Sequence, residues 1–188
     1  MKLILASASP RRRELLGHLG IPFEVAPADL DETIHPGEHA AAYVERLARA
    51  KAGGAGDVIL AADTSVVIDD EVLGKPGHDT TLGSTMLRRL SGRAHQVMTG
   101  IAVSSAQGLT SKVVISEVHF RSLTQAEIDW YVSTREGADK AGGYALQGRA
   151  GAFITSIVGS PSNVIGLPLA ETVELLRAAG LSLPMDGA

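Results

Sequence analysis

Cysteine is absent from the 188 residues. Its absence excludes disulfides, zinc–thiolate sites and cysteine nucleophiles, and it accords with a reducing compartment. Aromatic residues are scarce, at 4% against 45% hydrophobic residues, so the core has to rest on Ala, Val, Ile and Leu. No apolar run approaches the roughly 20 residues that cross a bilayer. The opening MKLILA is too short for the apolar region of a secretory signal, and the arginines follow it instead of preceding it. A soluble, cytoplasmic protein with no membrane association is expected. A basic excess is missing as well. Seventeen Lys and Arg stand against 21 Asp and Glu, a formal net charge of −4. Binders of nucleic acid backbone usually carry a strong basic excess. Nucleic acid is therefore not an expected partner, and any phosphate bound here belongs to a small molecule. The P-loop pattern, the G-x-S-x-G elbow and the H-E-x-x-H zinc motif are missing too, which argues against those three chemistries.

What is present reads as interleaved helices and strands. KLILA (2–6) is a short buried strand. A helix follows, with Ser9 as N-cap, Pro10 at the first position and Gly20 as C-cap. PFEVAP (22–27) is a second strand, followed by the acidic loop DLDETIHPGE. Residues 38–52 read as a helix stopped by Gly53 and Gly54. VILAADTSVVI (58–68) is a strand, with a turn at Asp69-Asp70. Residues 79–90 form a helix capped by Asp79, with Leu82, Met86, Leu87 and Leu90 as its apolar stripe. Residues 95–103 and 112–120 alternate like antiparallel strands. Thr124 to Glu127 is a capping box. Residues 137–151 form a glycine-rich loop, AFITSIV a strand, SPSNVIGLP another loop, and LAETVELLRAAG the last helix. The pattern is a mixed-sheet α/β or α+β fold in one domain, 1–188, without repeats or linkers.

Three segments carry chemistry. In S-A-S-P-R-R-R, arginines 11–13 crowd a helix start, where the partial positive charge of the helix disfavours them. An anion reverses that balance. Backbone N–H groups, the Ser7 and Ser9 hydroxyls and the guanidinium forks can then converge on phosphate. The alternative is a solvated basic turn with one arginine paired to Glu14. In A-A-D-T, Asp63 follows an apolar run, and a buried carboxylate needs a partner or a metal. It is either a metal ligand or general base or a cap beyond the strand end. In D-K-A-G-G-Y-A-L-Q-G (139–148), glycines allow close backbone approach, and Tyr144 and Gln147 suit a base. Lys75, between Gly74 and Pro76, suits phosphate. Lys51 late in its helix suits the dipole, Glu32 lies in a solvated acidic loop, and Glu117 faces either solvent or a cleft. His95 reads as structural.

Taken together, LASASPRRRELL, YVERLARAKA, AADTSVVIDDEVLGKP, LSGRAHQVMTG, DKAGGYALQG and GSPSNVIGLPL resemble the Maf family of nucleoside triphosphate pyrophosphatases. The resemblance covers nearly the whole chain. It implies a two-lobed, elongated mixed β-sheet flanked by helices, of the inosine-triphosphatase type. It also implies hydrolysis between the α and β phosphates, with a divalent metal, magnesium first and manganese second. Carried over by motif, Asp63, Lys75, Lys51 and Glu32 become catalytic, and Glu32 and Asp63 become metal ligands. Ser7, Arg11, Arg12, Thr64 and Gln147 become substrate-binding, with Arg12, Thr64 and Gln147 tuning base choice. The match at Glu32 has Asp29 and Asp31 as close neighbours. The loop DKAGGYALQG resembles the branch acting on dTTP and UTP, which implies a role in cleaning the nucleotide pool. Alternatives are 7-methyl-GTP, CTP or ITP as substrate, or a regulatory nucleotide-binding protein linked to septum formation. Family members are commonly homodimers.

Overall fold

The computed structural model describes residues 2–54 and 57–187. Met1 and Ala188, the ends of the expected domain, lie outside the described residues. The elements run β1 (Leu3–Leu5), α1 (Pro10–Gly17), β2 (Phe23–Val25), α2 (Ala40–Lys51), β3 (Val58–Ile68), β4 (Glu71–Leu73), α3 (Thr80–Leu90), β5 (Ala94–Ser105), β6 (Gly108–Phe120), α4 (Gln125–Ser133), β7 (Ile154–Val158), α5 (Pro161–Ile165) and α6 (Leu169–Ala178). Seven strands form one sheet in the order β2-β1-β3-β5-β6-β7, with β4 paired to β3. β1 is parallel to both β2 and β3, whereas β4 pairs antiparallel with β3 and β7 antiparallel with β6. The sheet is therefore mixed and helix-flanked, as the interleaving of elements implies.

The chain divides into two compact units. The first takes in Met1–Asp63, Thr99–Val114 and Gly166–Ala188, and the second Thr64–Met98 and Ile115–Ile165. In the first, Leu5 pairs with Leu60 across the parallel ladder, and small alanines (6, 48, 52, 61 and 102) pack α2 closely on the sheet. Gly100 marks that closeness, because a Cβ there would overlap the Val44 carbonyl. In the second unit the few aromatics gather in one core: Phe120, Tyr131, Tyr144 and Phe153, with His95 edge-on to Phe120 and Tyr144.

Local signals explain most boundaries. Ser9 caps α1 through the Arg12 N–H, Asp79 caps α3 through the Leu82 N–H, and Thr124 and Glu127 form a reciprocal capping box on α4. Asp69 and Asp70 both adopt positive φ, the backbone a tight hairpin turn needs. Three expectations are corrected. α1 ends at Gly17 with His18 as C-cap, and Gly20 closes the turn that follows at φ +69°. Leu82 is exposed, and small Gly83 and Ser84 are buried with Met86, Leu87 and Leu90; the helix approaches Pro76 and Val132 at Gly83, where a Cβ would make ordinary contact with both. SPSNVIGLP contains the helical turn α5.

Candidate active site

In the first unit the charges converge. α2 buries Val44, Leu47, Ala48 and Lys51, spaced as one helical stripe. Lys51 therefore sits where the next apolar residue is due, and it is only 9% exposed. A cation there requires partners. Its Nζ donates to Asp63 Oδ1 at 2.7 Å and lies 2.5 Å from Glu32 Oε1. Asp63 is 8% exposed and still within β3. It does not cap a turn beyond the strand end, so its burial is balanced by the ammonium.

The acidic loop places Glu32 in this cluster through contacts made by α2. The Tyr43 hydroxyl donates to the Glu32 carbonyl at 2.8 Å, and Arg46 donates to the Thr33 carbonyl at 3.1 Å. Arg46 is itself held by Glu38, whose carboxyl it pulls down to about 2. Asp31 is occupied in accepting from the Thr33 N–H and hydroxyl. Among the acidic side chains of this loop, Glu32 is the one paired to Lys51.

The opening motif builds the adjoining wall. Arg12 Nη1 donates to Ser7 Oγ at 3.1 Å and Nε donates to the Gly166 carbonyl at 2.7 Å. The Ser9 N–H donates to Ser7 Oγ at 3.3 Å. Ser7 is buried and Arg12 half-buried. Burial holds the Arg12 pKa below its usual value, against the opposing pull of Asp63, with Arg11 lowering it further and Glu32 raising it. Arg12 is thus fixed by its partners beside the start of α1 and is not paired to Glu14. Ser7, Ser9, Arg13 and Glu14 also line an open cavity of about 470 Å³ with Phe23 and Val25.

In the second unit, Thr64 is half-buried in β3, directly after Asp63 in the chain. Lys75 is exposed on the turn after β4, between buried Leu73 and Pro76. Two backbone bonds tie that turn to the glycine-rich loop: Gly142 N–H to the Gly74 carbonyl at 3.0 Å, and Gly77 N–H to the Ala138 carbonyl at 2.8 Å. Gly142 is left-handed, at φ +69°, and a Cβ on it would meet Val66 at 2.8 Å. Gln147 is exposed on a turn closed by the Gly148 N–H on the Ala145 carbonyl.

A family model described as "Maf-like protein" matches residues 2–179. The chain belongs to that family. Among its relatives is a protein named dTTP/UTP pyrophosphatase from Anaeromyxobacter sp. (strain Fw109-5), 56% identical over 98% of this chain and 93% of the relative. The proteins of that name from Myxococcus xanthus (strain DK1622) and Hahella chejuensis (strain KCTC 2396) are 53% and 47% identical. They cover 97% and 98% of this chain, and 94% and 96% of their own lengths.

Of the residues singled out from sequence, Ser7, Arg12, Glu32, Lys51 and Asp63 are joined by contacts or mutual fields within the first unit. Arg11 is half-buried beside Arg12 in α1. Tyr144, read from the sequence as suited to stack on or hydrogen-bond a base, is turned inward. It is 5% exposed, and its hydroxyl lies 2.8 Å from His95 Nε2. Glu117 is exposed and carries His119 at 2.6 Å. Sequence reading passed over Tyr43, Arg46 and the Gly166 carbonyl, which hold Glu32 and Arg12. For Lys51 a signal existed: a lysine seven residues after Val44 falls on the buried stripe.

The donors suit a hard divalent cation. Glu32 and Asp63 bring two carboxylates to one point, and among the described residues no group of three or more His, Cys, Asp or Glu could hold a metal by itself. Two carboxylates with the remaining ligands from phosphate and water is the way magnesium is commonly bound.

Proposed function

We propose that this protein hydrolyses the α–β phosphoanhydride of dTTP and UTP to the monophosphate and pyrophosphate, acting as one domain over 1–188 and cleaning the nucleotide pool. The observation that carries the reading is the buried Lys51–Asp63 pair, joined from the exposed side by Glu32, with Ser7 and Arg12 in the same unit. The substrate choice rests on the names of its relatives.

A triphosphate and its attacking water are both electron-rich, so such a site must cancel charge and orient the water. Asp63 takes the proton of the attacking water. Lys51 holds the Asp63 carboxylate in place and neutralises charge on the phosphates. Arg11, Arg12 and Ser7 bind phosphate oxygens, as does Lys75. The water oxygen bonds phosphorus as the bridging bond breaks, and the electron pair of that bond leaves with the departing phosphate group. A divalent cation, magnesium first and manganese second, held by Glu32 and Asp63, supplies positive charge to the phosphates when bound. Thr64, Gln147 and Arg12 select the base. The enzyme works in the cytoplasm as a homodimer, without nucleic acid or membrane partners. No helix among the described residues is long and apolar enough to cross a membrane.

The test is pyrophosphate release from dTTP, UTP, CTP, ITP and 7-methyl-GTP, each with and without magnesium. The expected result is magnesium-dependent turnover of dTTP and UTP above the others. Preference for 7-methyl-GTP, or no release from any nucleotide, would overturn the reading.

A further inference from the structure

Resting on the reading of Gln147 as a base-selecting residue, we infer that Glu136 and the Tyr144–His95 pair are positioning residues that hold the Gln147 turn for pyrimidine selection. The turn over 144–149 is pinned at three places. At its start, the Tyr144 hydroxyl lies 2.8 Å from His95 Nε2, and its ring stands 4.9 Å from that of Phe120. One residue on, the Ala145 N–H donates to the Tyr131 hydroxyl at 3.1 Å. At its end, the Glu136 carboxylate accepts from the Arg149 N–H at 2.7 Å and from Arg149 Nη1 at 3.0 Å. Between these pins Gln147 stands exposed.

Two further observations mark Glu136 as more than an ordinary surface acid. Gly148 packs flat on its carboxylate, and a Cβ at 148 would overlap it. Gly148 has extended backbone, so a side chain there is not excluded by φ, but it would push the Glu136 carboxylate off Arg149. The residue before Glu136, Arg135, is left-handed at φ +61°, a strained conformation for a side chain of this size. That turn after α4 directs the chain so that Glu136 meets the loop. Strain of this kind persists only where its surroundings enforce it.

The chemistry gives the pins a purpose. Uracil and thymine present an N–H donor beside carbonyl acceptors, whereas cytosine presents a ring-nitrogen acceptor beside an amino donor. A glutamine amide carries both a donor and an acceptor and offers either sense by turning over. Holding the backbone that presents it fixes the distance and angle at which the amide meets the base edge, which is what lets one base be bound better than another.

The experiment compares kcat/KM for UTP and CTP in wild type, Gln147→Ala, Glu136→Ala, Glu136→Gln, Tyr144→Phe and Gly148→Ala, with amide hydrogen exchange at Ala145 and Arg149. Glu136→Ala and Tyr144→Phe are expected to lower the UTP-over-CTP ratio about tenfold, mainly through the KM for UTP, with kcat within about threefold. Glu136→Gln keeps a carbonyl for the Arg149 N–H and retains most of the preference. Gly148→Ala lowers the ratio alone but adds nothing in a Glu136→Ala background, because the carboxylate it would strike is gone. Faster exchange at Arg149 in Glu136→Ala follows whatever the substrate. An unchanged ratio in both Glu136→Ala and Tyr144→Phe, while Gln147→Ala lowers it, overturns the positioning role alone. An unchanged ratio in Gln147→Ala removes the reading of Gln147 beneath it.

Discussion

The two units hold their candidate residues by opposite means. In the first, Lys51, Asp63 and Glu32 hold one another by charge, with a buried ammonium between two carboxylates. In the second, Gln147 has no comparable network around it; its turn is shaped by backbone hydrogen bonds, glycine contacts and an aromatic core around Tyr144. Groups that must cancel phosphate charge are costly to bury and have to be paired. A group that selects a base needs only to be presented in one place. The contrast teaches that damage to the Lys51–Asp63 pair should appear in the chemical step and in folding. Damage to the Gln147 turn should appear in substrate choice.

The largest expected effect is that of Asp63→Asn. It removes the base but keeps the shape, and kcat should fall about a thousandfold, with a drop in the thermal melt smaller than that of a Lys51 variant, because Glu32 still pairs with the buried ammonium. Near-wild-type turnover would end the assignment of Asp63 and with it the contrast. Next comes Lys51→Met. It leaves the buried Asp63 carboxylate without its cation, at a cost of about 3–5 kcal/mol, measurable by urea denaturation. In Lys51→Met/Asp63→Asn most of that stability should return while activity stays absent. If the double variant is no more stable than Lys51→Met, charge is not what holds the cluster.

A pH experiment probes the neutral region. Burial, with a smaller push from His119, holds the His95 pKa down to about 4, from the ordinary histidine value of 6.5. As pH falls below about 6.5, the unfolded chain takes up the proton first. Stability should therefore decline from there to about pH 4, by up to roughly 3 kcal/mol. Above pH 6.5 the group contributes no slope. Glu127 and Glu38, lowered to about 2 by Arg121 and Arg46 respectively, lose their contributions at lower pH, between about 4.5 and 2. Denaturant titrations at pH 7 and 4.5 should show the difference in wild type and much less of it in His95→Phe. An equal difference in both proteins would mean that burial of His95 is not the source of the pH dependence.

The smallest effect is expected from Tyr43→Phe. It removes the hydroxyl that holds the Glu32 carbonyl, worth about 1 kcal/mol. The magnesium concentration for half-maximal rate should rise several-fold with kcat nearly kept. No change would place the control of Glu32 in Arg46 alone.

Much of the fold was legible because its signals are local. The caps at Ser9, Asp79 and Thr124, the Asp69-Asp70 turn and the long apolar run of β3 depend on neighbours a few residues away. The site was legible only in part. Asp63 announced itself as a carboxylate after an apolar run. Nothing local distinguishes Glu32 from Asp29 or Asp31, and the choice is made by Tyr43 and Arg46 on α2. Nothing local turns Tyr144 inward either; that depends on His95, Phe120 and Phe153 arriving from other strands and turns.

By itself, then, the sequence determined the alternation of elements, the family, and which charges had to find partners, because periodicity, capping and the cost of burying charge act along the chain. The tertiary structure decided which partners those were: Lys51 for Asp63 and Glu32, Ser7 and the Gly166 carbonyl for Arg12, and Glu136 for the Gln147 turn. Hydrogen bonds and ion pairs act over a few ångströms, and only folding brings residues so far apart in sequence within that reach.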